Sequence, residues 1–363
     1  MDSPFLPYLR NIERALEAAL PADLNDSWKQ KSFSLLPNAV TGKHIENLTL
    51  PCRSLIDLGG KRWRPLLMIL CANLSRECSG HSAGRKILSE EQIYSLAPLV
   101  EFVHTASLIH DDIEDSAQLR RGKPSAHIAY GLDTALNAGS WLYFEASVCI
   151  DSLKADGDFK SQLYLLYTSE LRRLHLGQAT DIYWHRNPDV FPSEQEYSSM
   201  VRCKTGTLAA LAAKTGVLAG GAAFDKVERA GEIAAKIGEG FQILDDVLNL
   251  TSGNPGKKRG DDIVEGKKSL PVILHIKSNP QDAKKISCYM KRAFAEGINS
   301  SAVEDCILLL EESGAIQNAK EKAFSLIKEN SRALSELFGK CEKSCAAEIR
   351  LLFDRMLSSG GLK

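Results

Sequence analysis

Two acidic motifs in the 363-residue sequence place carboxylates one helical turn apart. In residues 110–115 (HDDIED), Asp111 and Asp115 share one face if the segment is helical. Carboxylates stacked in this way repel each other unless a cation lies between them. Oxygen ligands suit Mg²⁺, which accepts few protein ligands and keeps positions for water and phosphate oxygens. One such motif alone is equally compatible with a solvated acidic surface.

The second motif shifts the balance toward metal binding. Residues 241–249 (FQILDDVLN) repeat the spacing, with Asn249 in the last place. Apolar residues flank both motifs, so each acidic turn interrupts a helix that should be buried. Because burying carboxylates without partners is costly, we expect a metal cluster between facing helices.

Basic residues supply the opposite charge. Residues 59–65 (GGKRWRP) place three cations beside a helix start, and residues 120–123 (RRGK) are expected to close the helix of the first motif. Lys204 lies mid-chain, and further basic residues occupy 257–259 and 267–268. Each group alone is typical of a solvated surface or a helix C-terminus. With two acidic motifs, they predict a cavity for two polyphosphates, one bound through Mg²⁺ and one directly by Arg and Lys.

Composition excludes several other classes of protein. The chain has 45 Lys and Arg against 46 Asp and Glu, and 44% hydrophobic residues, as in soluble globular proteins. This balance argues against a nucleic-acid partner. Nine cysteines without a disulfide-like spacing favour the reducing cytoplasm. No signal peptide or transmembrane segment is evident.

Helical periodicity dominates the chain. Apolar residues recur every three to four positions, and proline is absent from long spans, so we predict an all-α fold. Breaks are expected at 59–60, 79–89, 122–124, 187–192 and 252–260. We expect one helical domain over residues 51–363, preceded by an N-terminal helical extension at 1–50.

The motifs resemble those of the trans-isoprenyl diphosphate synthases, or polyprenyl synthetases, and most closely the geranylgeranyl diphosphate synthases. The resemblance covers roughly residues 55–275 and rests on DDIED…LRRGKP, HLGQATDIYW, KTG, FQILDDVLNL and EGKKSLP. It implies an isoprenoid synthase-type helical bundle with a central active-site cavity, usually a homodimer. It also implies three Mg²⁺ ions, isopentenyl diphosphate, and an allylic diphosphate (dimethylallyl, geranyl or farnesyl) as ligands.

The resemblance assigns roles position by position. Asp111, Asp115 and Asp245 would hold the metals, with Asp112 and Asp246 assisting. The residues that would contact the allylic diphosphate or its metals are Arg120, Lys204, Thr205, Gln242, Lys258 and Lys267, of which Lys204 and Lys267 join the aspartates as catalytic residues. Those that would bind isopentenyl diphosphate are Lys61, Arg64, His104 and Arg121. Neighbouring cations leave the register of Lys258 open, and Asn249 departs from the aspartate often found there.

The implied reaction is ionisation, condensation and elimination. Mg²⁺ neutralises the allylic diphosphate and lets it leave, and the double bond of isopentenyl diphosphate attacks the resulting cation. A proton is then lost to the departed pyrophosphate. The protein supplies positioned charge, aligned substrates and exclusion of water.

Product length is expected to depend on the helix upstream of Asp111. Ser107 lies about 6 Å below that aspartate and Ala106 slightly further. Both are small, which favours growth beyond fifteen carbons to a twenty-carbon product. Tyr143, Phe144 and His175 match the floor positions of the geranylgeranyl subgroup. Tyr143 and Phe144 could equally be core aromatics, and fifteen-carbon or longer products stay open.

Two further alternatives stay open. A terpene cyclase also uses acidic helices and Mg²⁺, but it binds one diphosphate, which would leave Lys61, Arg64 and His104 without a purpose. A non-catalytic partner subunit would be expected to lack one acidic motif, whereas both are present here.

Overall fold

The computed structural model describes residues 4–78, 87–253, 258–339 and 344–358. Residues 79–86 and 254–257, which belong to two of the predicted breaks and include Lys257, lie outside the described residues. Within the described ranges the chain is helical apart from one short hairpin, which confirms the predicted all-α class.

The helices are α1 (Leu6–Ala19), α2 (Asp26–Phe33), α3 (Gly42–Asp57), α4 (Trp63–Cys78), α5 (Glu90–Ser95), α6 (Ala97–Glu114), α7 (Ala126–Tyr130), α8 (Leu132–Glu145), α9 (Val148–Asp151), α10 (Gly157–Arg186), α11 (Glu194–Val201), α12 (Thr207–Ala219), α13 (Phe224–Thr251), α14 (Asp261–Glu265), α15 (Leu270–Ser278), α16 (Ala283–Glu296), α17 (Ser301–Glu312), α18 (Ala315–Ser335) and α19 (Ser344–Ser358). The hairpin strands are β1 (Leu119–Arg120) and β2 (Lys123–Pro124), a π-helical turn spans Arg202–Gly206, and a 3-10 turn spans Pro280–Asp282.

The chain divides into two compact units. The first unit comprises Met1–Thr168 and Leu211–Glu228, and the second comprises Ser169–Ala210 and Arg229–Lys363. The first acidic motif belongs to the first unit and the second motif to the second.

The first unit is built on the antiparallel pair α6 and α8. Gly139 of α8 lies against the ring of His110, where a Cβ would come within 2.9 Å, and at the other end the Cys149 thiol of α9 lies near the backbone of Leu99. Helix α4 is apolar around almost its whole circumference, as expected for a buried helix. Helix α1 packs on α4, α5 and α6 through its buried Ile12 and Leu16. Residues near the N-terminus are therefore part of this core.

The RRGK segment forms a hairpin instead of a helix end. Helix α6 ends at Glu114, and Arg120 pairs with Lys123 five residues beyond its C-cap. Arg121 and Gly122 have φ values of 52° and 77°, as a two-residue type I′ turn requires. The expectation that residues 120–123 close the helix is wrong, because the glycine and the following proline favour the turn.

The second unit brings backbones into close contact at glycines. A Cβ on Gly177 of α10 would lie 2.3 Å from the backbone nitrogen of Lys204. A Cβ on Gly238 of α13 would lie 2.7 Å from the Cα of Gly206. The π-helical turn is therefore held between two helices that only glycine allows to approach this closely.

None of the helices in the described ranges combines the length and apolar character needed to cross a membrane.

Candidate active site

The first acidic motif occupies the C-terminal turn of α6. The backbone N–H of Asp115 donates to the carbonyl of Asp111 at 2.8 Å, so the two residues lie one turn apart as predicted. Both are partly exposed, whereas Asp112 is buried. A helix C-terminus carries a negative partial charge, so a cation is the natural counterpart of these side chains.

Asp112 is bound to Arg120. The guanidinium Nε donates to both carboxylate oxygens, at 2.9 and 3.1 Å, and an Nη adds a further contact. Burial raises the pKa of Asp112, although Arg120 opposes that rise. The hairpin therefore holds Arg120 against the acidic turn; the contact with the allylic diphosphate that the resemblance implies for Arg120 stays a prediction.

Four residues that were predicted to bind isopentenyl diphosphate converge around the loop after α3. They are Lys61, Arg64, His104 and Arg121. An Nη of Arg64 lies 3.4 Å from Nε2 of His104, and Arg121 donates to the carbonyl of Gly59. The Arg121 guanidinium also lies against Gly60, 3.2 Å from where a Cβ would stand. Residues that the sequence predicted to bind one diphosphate are thus brought together within the first unit.

Burial, together with neighbouring positive charge for Arg64 and His104, disfavours protonation in this cluster. Burial lowers the pKa of Arg64 to about 10, and the charge of Arg121 contributes to this. Burial and the charges of Arg64 and Arg121 lower the pKa of His104 to about 4. Burial lowers the pKa of Lys61 to about 8. A bound anion would relieve this repulsion, as expected for a diphosphate site.

A buried ion network contacts this cluster through His104. Arg62 is 4% exposed and donates to Glu101 and Glu13, both at 2.8 Å. Glu101 also lies 3.4 Å from Nδ1 of His104. Its pKa is lowered to about 2: burial acts to raise it, but His104 and Arg62 outweigh burial. Glu101 was not among the residues predicted from the sequence, although an acid within an apolar helix is the same kind of signal as the acidic motifs.

The second motif is held by a polar network in the second unit. The Thr205 hydroxyl donates to Gln242 at 2.8 Å, and Gln242 donates to Asp246 at 3.1 Å. The Tyr197 hydroxyl donates to the other Asp246 oxygen at 2.6 Å. Burial, together with the charge of Asp262, raises the pKa of Asp246 to about 7. Asp245, by contrast, is partly exposed on the same turn.

Lys204 is positioned by Asp181. The Lys204 ammonium donates to one carboxylate oxygen at 2.7 Å, and Nε2 of His185 lies 3.1 Å from the other. Although burial opposes ionisation, Lys204 and His185 hold the pKa of Asp181 well below its usual range. Asp181 and Tyr197 were not predicted as site residues from the sequence. The i,i+4 spacing of Asp181 and His185 is the signal that could have identified Asp181.

Asn249 has a structural role that explains its departure from aspartate. It is fully buried, and its Oδ1 accepts the backbone N–H of Asp262 at 3.1 Å. Asp262 in turn accepts from Lys267 at 3.2 Å. A neutral side chain here avoids a further buried charge beside Asp246 and Asp262. Lys258 is exposed, and its backbone N–H donates to Asp261 at 2.7 Å.

The residues predicted to set product length fall into different environments. Ala106 is fully buried and Ser107 is partly exposed, with its hydroxyl donating to the carbonyl of His104. Tyr143 is buried, and its carbonyl accepts from Tyr167. Phe144 is 76% exposed and His175 is exposed. Phe144 is therefore not a core aromatic of this chain.

Within neither unit do three acidic, imidazole or thiol groups of the described residues converge as a complete metal site. The acidic turns would need phosphate oxygens and water to complete the shell of a cation, as Mg²⁺ prefers.

Comparison with known proteins identifies relatives over most of the chain. The polyprenyl synthetase family matches residues 45–306. A geranylgeranyl pyrophosphate synthase of Gibberella zeae is 34% identical over 296 residues, covering 81% of this chain and 73% of that protein. One of Metarhizium robertsii is 36% identical over 323 residues, covering 88% and 90%. Among solved structures, the geranylgeranyl pyrophosphate synthetase of Pyrococcus horikoshii superposes with a TM-score of 0.74 at 27% identity, covering 97% of this chain and 99% of that one.

The depressed pKa of His104 predicts a loss of stability in acid. Between the ordinary value of 6.5 and about 4, the unfolded chain takes up a proton that the folded chain does not. The contribution of His104 is thus present above pH 6.5 and lost as the pH falls. We expect the difference in unfolding free energy between wild type and His104→Asn to shrink by up to about 3 kcal/mol from pH 7 to pH 4.

Urea unfolding at several pH values measures this difference. His44→Asn, which removes an exposed imidazole, is the matched control. A difference for His104→Asn that stays constant across the range would contradict the buried, neutral imidazole.

Proposed function

The chain belongs to the polyprenyl synthetase family of prenyltransferases, and we propose that it condenses isopentenyl diphosphate with an allylic diphosphate to give geranylgeranyl diphosphate. The relatives in Gibberella zeae and Metarhizium robertsii carry the name of this activity. The reaction would be head-to-tail and all-trans, and dimethylallyl, geranyl and farnesyl diphosphates would serve as allylic substrates.

One observation supports a condensing enzyme over a cyclase. The first unit carries two sites of opposite charge: the acidic turn at Asp111 and Asp115, and the cationic cluster in which Lys61, Arg64 and Arg121 surround the neutral His104. The first suits a diphosphate bound through a metal, and the second suits a diphosphate bound directly. A cyclase has one diphosphate to bind, so the cationic cluster would be an unrelieved electrostatic cost.

The acidic turns fit Mg²⁺. Their donors are oxygens only, and Asp111 and Asp115 combine mutual repulsion with the negative end of a helix. We propose that Asp111, Asp115 and Asp245 hold three Mg²⁺ ions around the allylic diphosphate, with Asp112 and Asp246 as supporting acids. When bound, the metal would supply the positive charge that makes the diphosphate a good leaving group.

The cationic residues of the second unit would act on the same diphosphate. We propose that Lys204 and Lys267, each presented by a buried or half-buried carboxylate, bind its oxygens, with Thr205, Gln242 and Lys258 contributing further contacts. Fixed ammonium groups cost little reorganisation when negative charge develops on the leaving group. Arg120 would act through Asp112, holding the acidic turn in place.

We propose a twenty-carbon product. Below Asp111, the small side chains of Ala106 and Ser107 leave room that an aromatic ring would fill. Tyr143 is the buried member of the proposed floor, and Phe144 and His175 would need a covering surface to contribute to it. A farnesyl or longer product remains the alternative.

We further propose that the enzyme is a homodimer. Helix α8 exposes Leu132, Leu136 and Phe144, by 57%, 48% and 76% of their surface, and Leu165 of α10 adds to this apolar surface within the first unit. Covering such a surface with a second copy would remove it from water. It would also give Phe144 the cover that a floor residue needs.

The remaining proposals concern organisation and location. We propose residues 51–363 as the catalytic domain, with the helical segment 1–50 as an N-terminal extension packed on it through α1. The eight described cysteines are all free thiols, which supports the reducing cytoplasm as the place of action.

Removal of either acidic motif tests the enzyme assignment. We expect Asp111→Ala and Asp245→Ala each to lower turnover of farnesyl with isopentenyl diphosphate by at least about 1,000-fold, because the leaving group loses its neutralising charge. Asp133→Ala, an exposed acid at the start of α8, is the control and should retain activity. EDTA should abolish turnover and added Mg²⁺ should restore it.

Three outcomes of this assay would contradict the proposal. Near-normal turnover in either variant would remove the metal assignment. Conversion of farnesyl diphosphate without isopentenyl diphosphate would indicate a cyclase, and wild-type protein that makes no product alone would indicate a partner subunit.

A bulky ring below the acidic turn tests the product pathway. We expect Ser107→Phe to shift the product from twenty to fifteen or ten carbons, because the ring would close the space along α6. Ser107→Ala, which adds no bulk, should leave the product unchanged. Chromatographic sizing of products from labelled isopentenyl diphosphate measures the shift; an unchanged distribution in Ser107→Phe would place the growing chain elsewhere.

A charge on α8 tests the dimer. We expect Phe144→Lys to halve the molecular mass measured by light scattering, because a buried ammonium in an apolar interface is unpaired. Phe294→Lys on α16, where the native ring is 78% exposed, is the matched control and should leave the mass unchanged. A monomeric wild type, or equal behaviour of both variants, would contradict the proposed interface.

A further inference from the structure

A cavity lies beside the first turn of α6, at the opposite end of that helix from the acidic turn. It has a volume of about 790 Å³, is open to solvent on one side and is lined by α1, α2, α5, the start of α6 and the junction of α8 with α9, all within the first unit. Pro98, thirteen residues before Asp111, belongs to its wall, so about 20 Å of helix separates the two sites. None of the residues proposed for catalysis or product length lines it.

The wall of this cavity is apolar and preformed. Ala15 and Ala19 of α1 leave a shallow slot, with Val148 and Pro98 opposite. The Trp28 indole N–H donates to the carbonyl of Ala19 at 2.8 Å, and its ring packs edge-on against Phe33. The indole is therefore fixed in place. A volume of this size and a rigid apolar wall are typical of sites for small organic molecules.

One buried carboxylate interrupts the apolar wall. Glu145 is 5% exposed and lines the cavity, and its Oε1 accepts the Ser32 hydroxyl at 2.7 Å. A hydroxyl is a weak partner for an ionised carboxylate that has lost its water. A cationic donor would supply both the hydrogen bond and the opposite charge that an ionised Glu145 needs.

When Glu145 is ionised, the charged residues that line the cavity carry one net negative charge. Three carboxylates, Glu90, Glu91 and Glu145, face two cations, Arg14 and Lys31. Glu90, Glu91, Arg14 and Lys31 are exposed at the rim, whereas Glu145 is the buried one. A ligand with a single positive charge would balance the set, and the buried position of Glu145 would direct that charge inward.

We propose that this cavity binds an organic ammonium ion with an apolar body, whose nitrogen donates to Glu145 and whose hydrocarbon part fills the slot between α1, Trp28 and Val148. The apolar body loses its contact with water, and the ammonium replaces the water that the carboxylate lost on folding.

The site predicts how binding depends on pH. Burial raises the pKa of Glu145 to about 7. The other titratable or charged groups on the elements around it are Arg14, Lys31, Cys52, Glu90, Glu91, Tyr94 and Cys149. An ammonium ion binds the ionised carboxylate, so its affinity is full above pH 8 and falls as the acid is protonated below pH 7. From pH 8 to pH 6 the affinity should fall about tenfold.

Three eight-carbon probes that differ only in their head groups separate the possibilities. Isothermal titration of the full chain with octylammonium, octanol and octanoate is the experiment. We expect octylammonium at pH 8 to bind at least about tenfold more tightly than either analogue, and only its affinity to fall toward pH 6.

Two variants test whether the probe binds in this cavity. Glu145→Gln keeps an acceptor for Ser32 but removes the charge, so it should weaken octylammonium binding at least about tenfold and abolish the pH dependence. Ala15→Phe keeps the charge and fills the slot, so it should weaken all three probes. Thermal unfolding and prenyl transfer of both variants verify that the fold is intact.

The proposal is overturned by any of three results. These are absence of octylammonium binding at millimolar concentration, equal binding to wild type and Glu145→Gln, or tighter binding of octanoate than of octylammonium. The last would mean that Arg14 and Lys31 select an anion instead.

Discussion

The first unit holds groups of like charge close together at two places, and this electrostatic repulsion is the constraint on which the proposed site depends. Asp111 and Asp115 repel each other at the negative end of α6, and the nearby cationic cluster depresses the pKa values of its own members. Under the proposed function each repulsion would be relieved by a different form of diphosphate. A metal-bound diphosphate would relieve the acidic turn, and a metal-free diphosphate would relieve the cationic cluster.

These groups keep their positions because buried ion networks bind them. Arg62 donates to Glu101, which contacts His104, and Lys204 donates to Asp181. In the second unit, glycines at 177, 206 and 238 let backbones meet closely enough to fix the π-helical turn from which Lys204 and Thr205 extend. Removing one partner of such a network leaves a buried charge unpaired, so these residues matter as much as those that would touch substrate.

Helix α6 carries two sites at its ends. Its C-terminal turn carries the carboxylates proposed to bind a diphosphate through a metal, and its first turn contributes Pro98 to the cavity that contains Glu145. Helix α8 runs antiparallel to α6. Glu145 is the last residue of α8, and Tyr143 and Phe144 immediately precede it. A ligand in that cavity would therefore contact the end of the same helix that carries the proposed floor of the product pocket.

The sequence by itself determined the helical class and the two acidic turns, and from these it predicted the chemistry of the site. These depend on local spacing: carboxylates at i and i+4 share a face in any helix, and apolar residues at three- to four-residue intervals require a core. Glu101 and Asp181 carried local signals in the sequence, because each has a histidine three or four residues further on. Sequence could not supply the bond from Tyr197 to Asp246, whose partners are far apart in the chain, or the pairing of Arg120 with Asp112, which depends on the hairpin. Only the tertiary structure decided that Asn249 accepts the backbone N–H of Asp262 in the first turn of α14, that Phe144 is exposed and that Glu145 is buried in a cavity. The physical reason is that burial and partner choice depend on which elements pack together, whereas helix formation and charge are properties of the local chain.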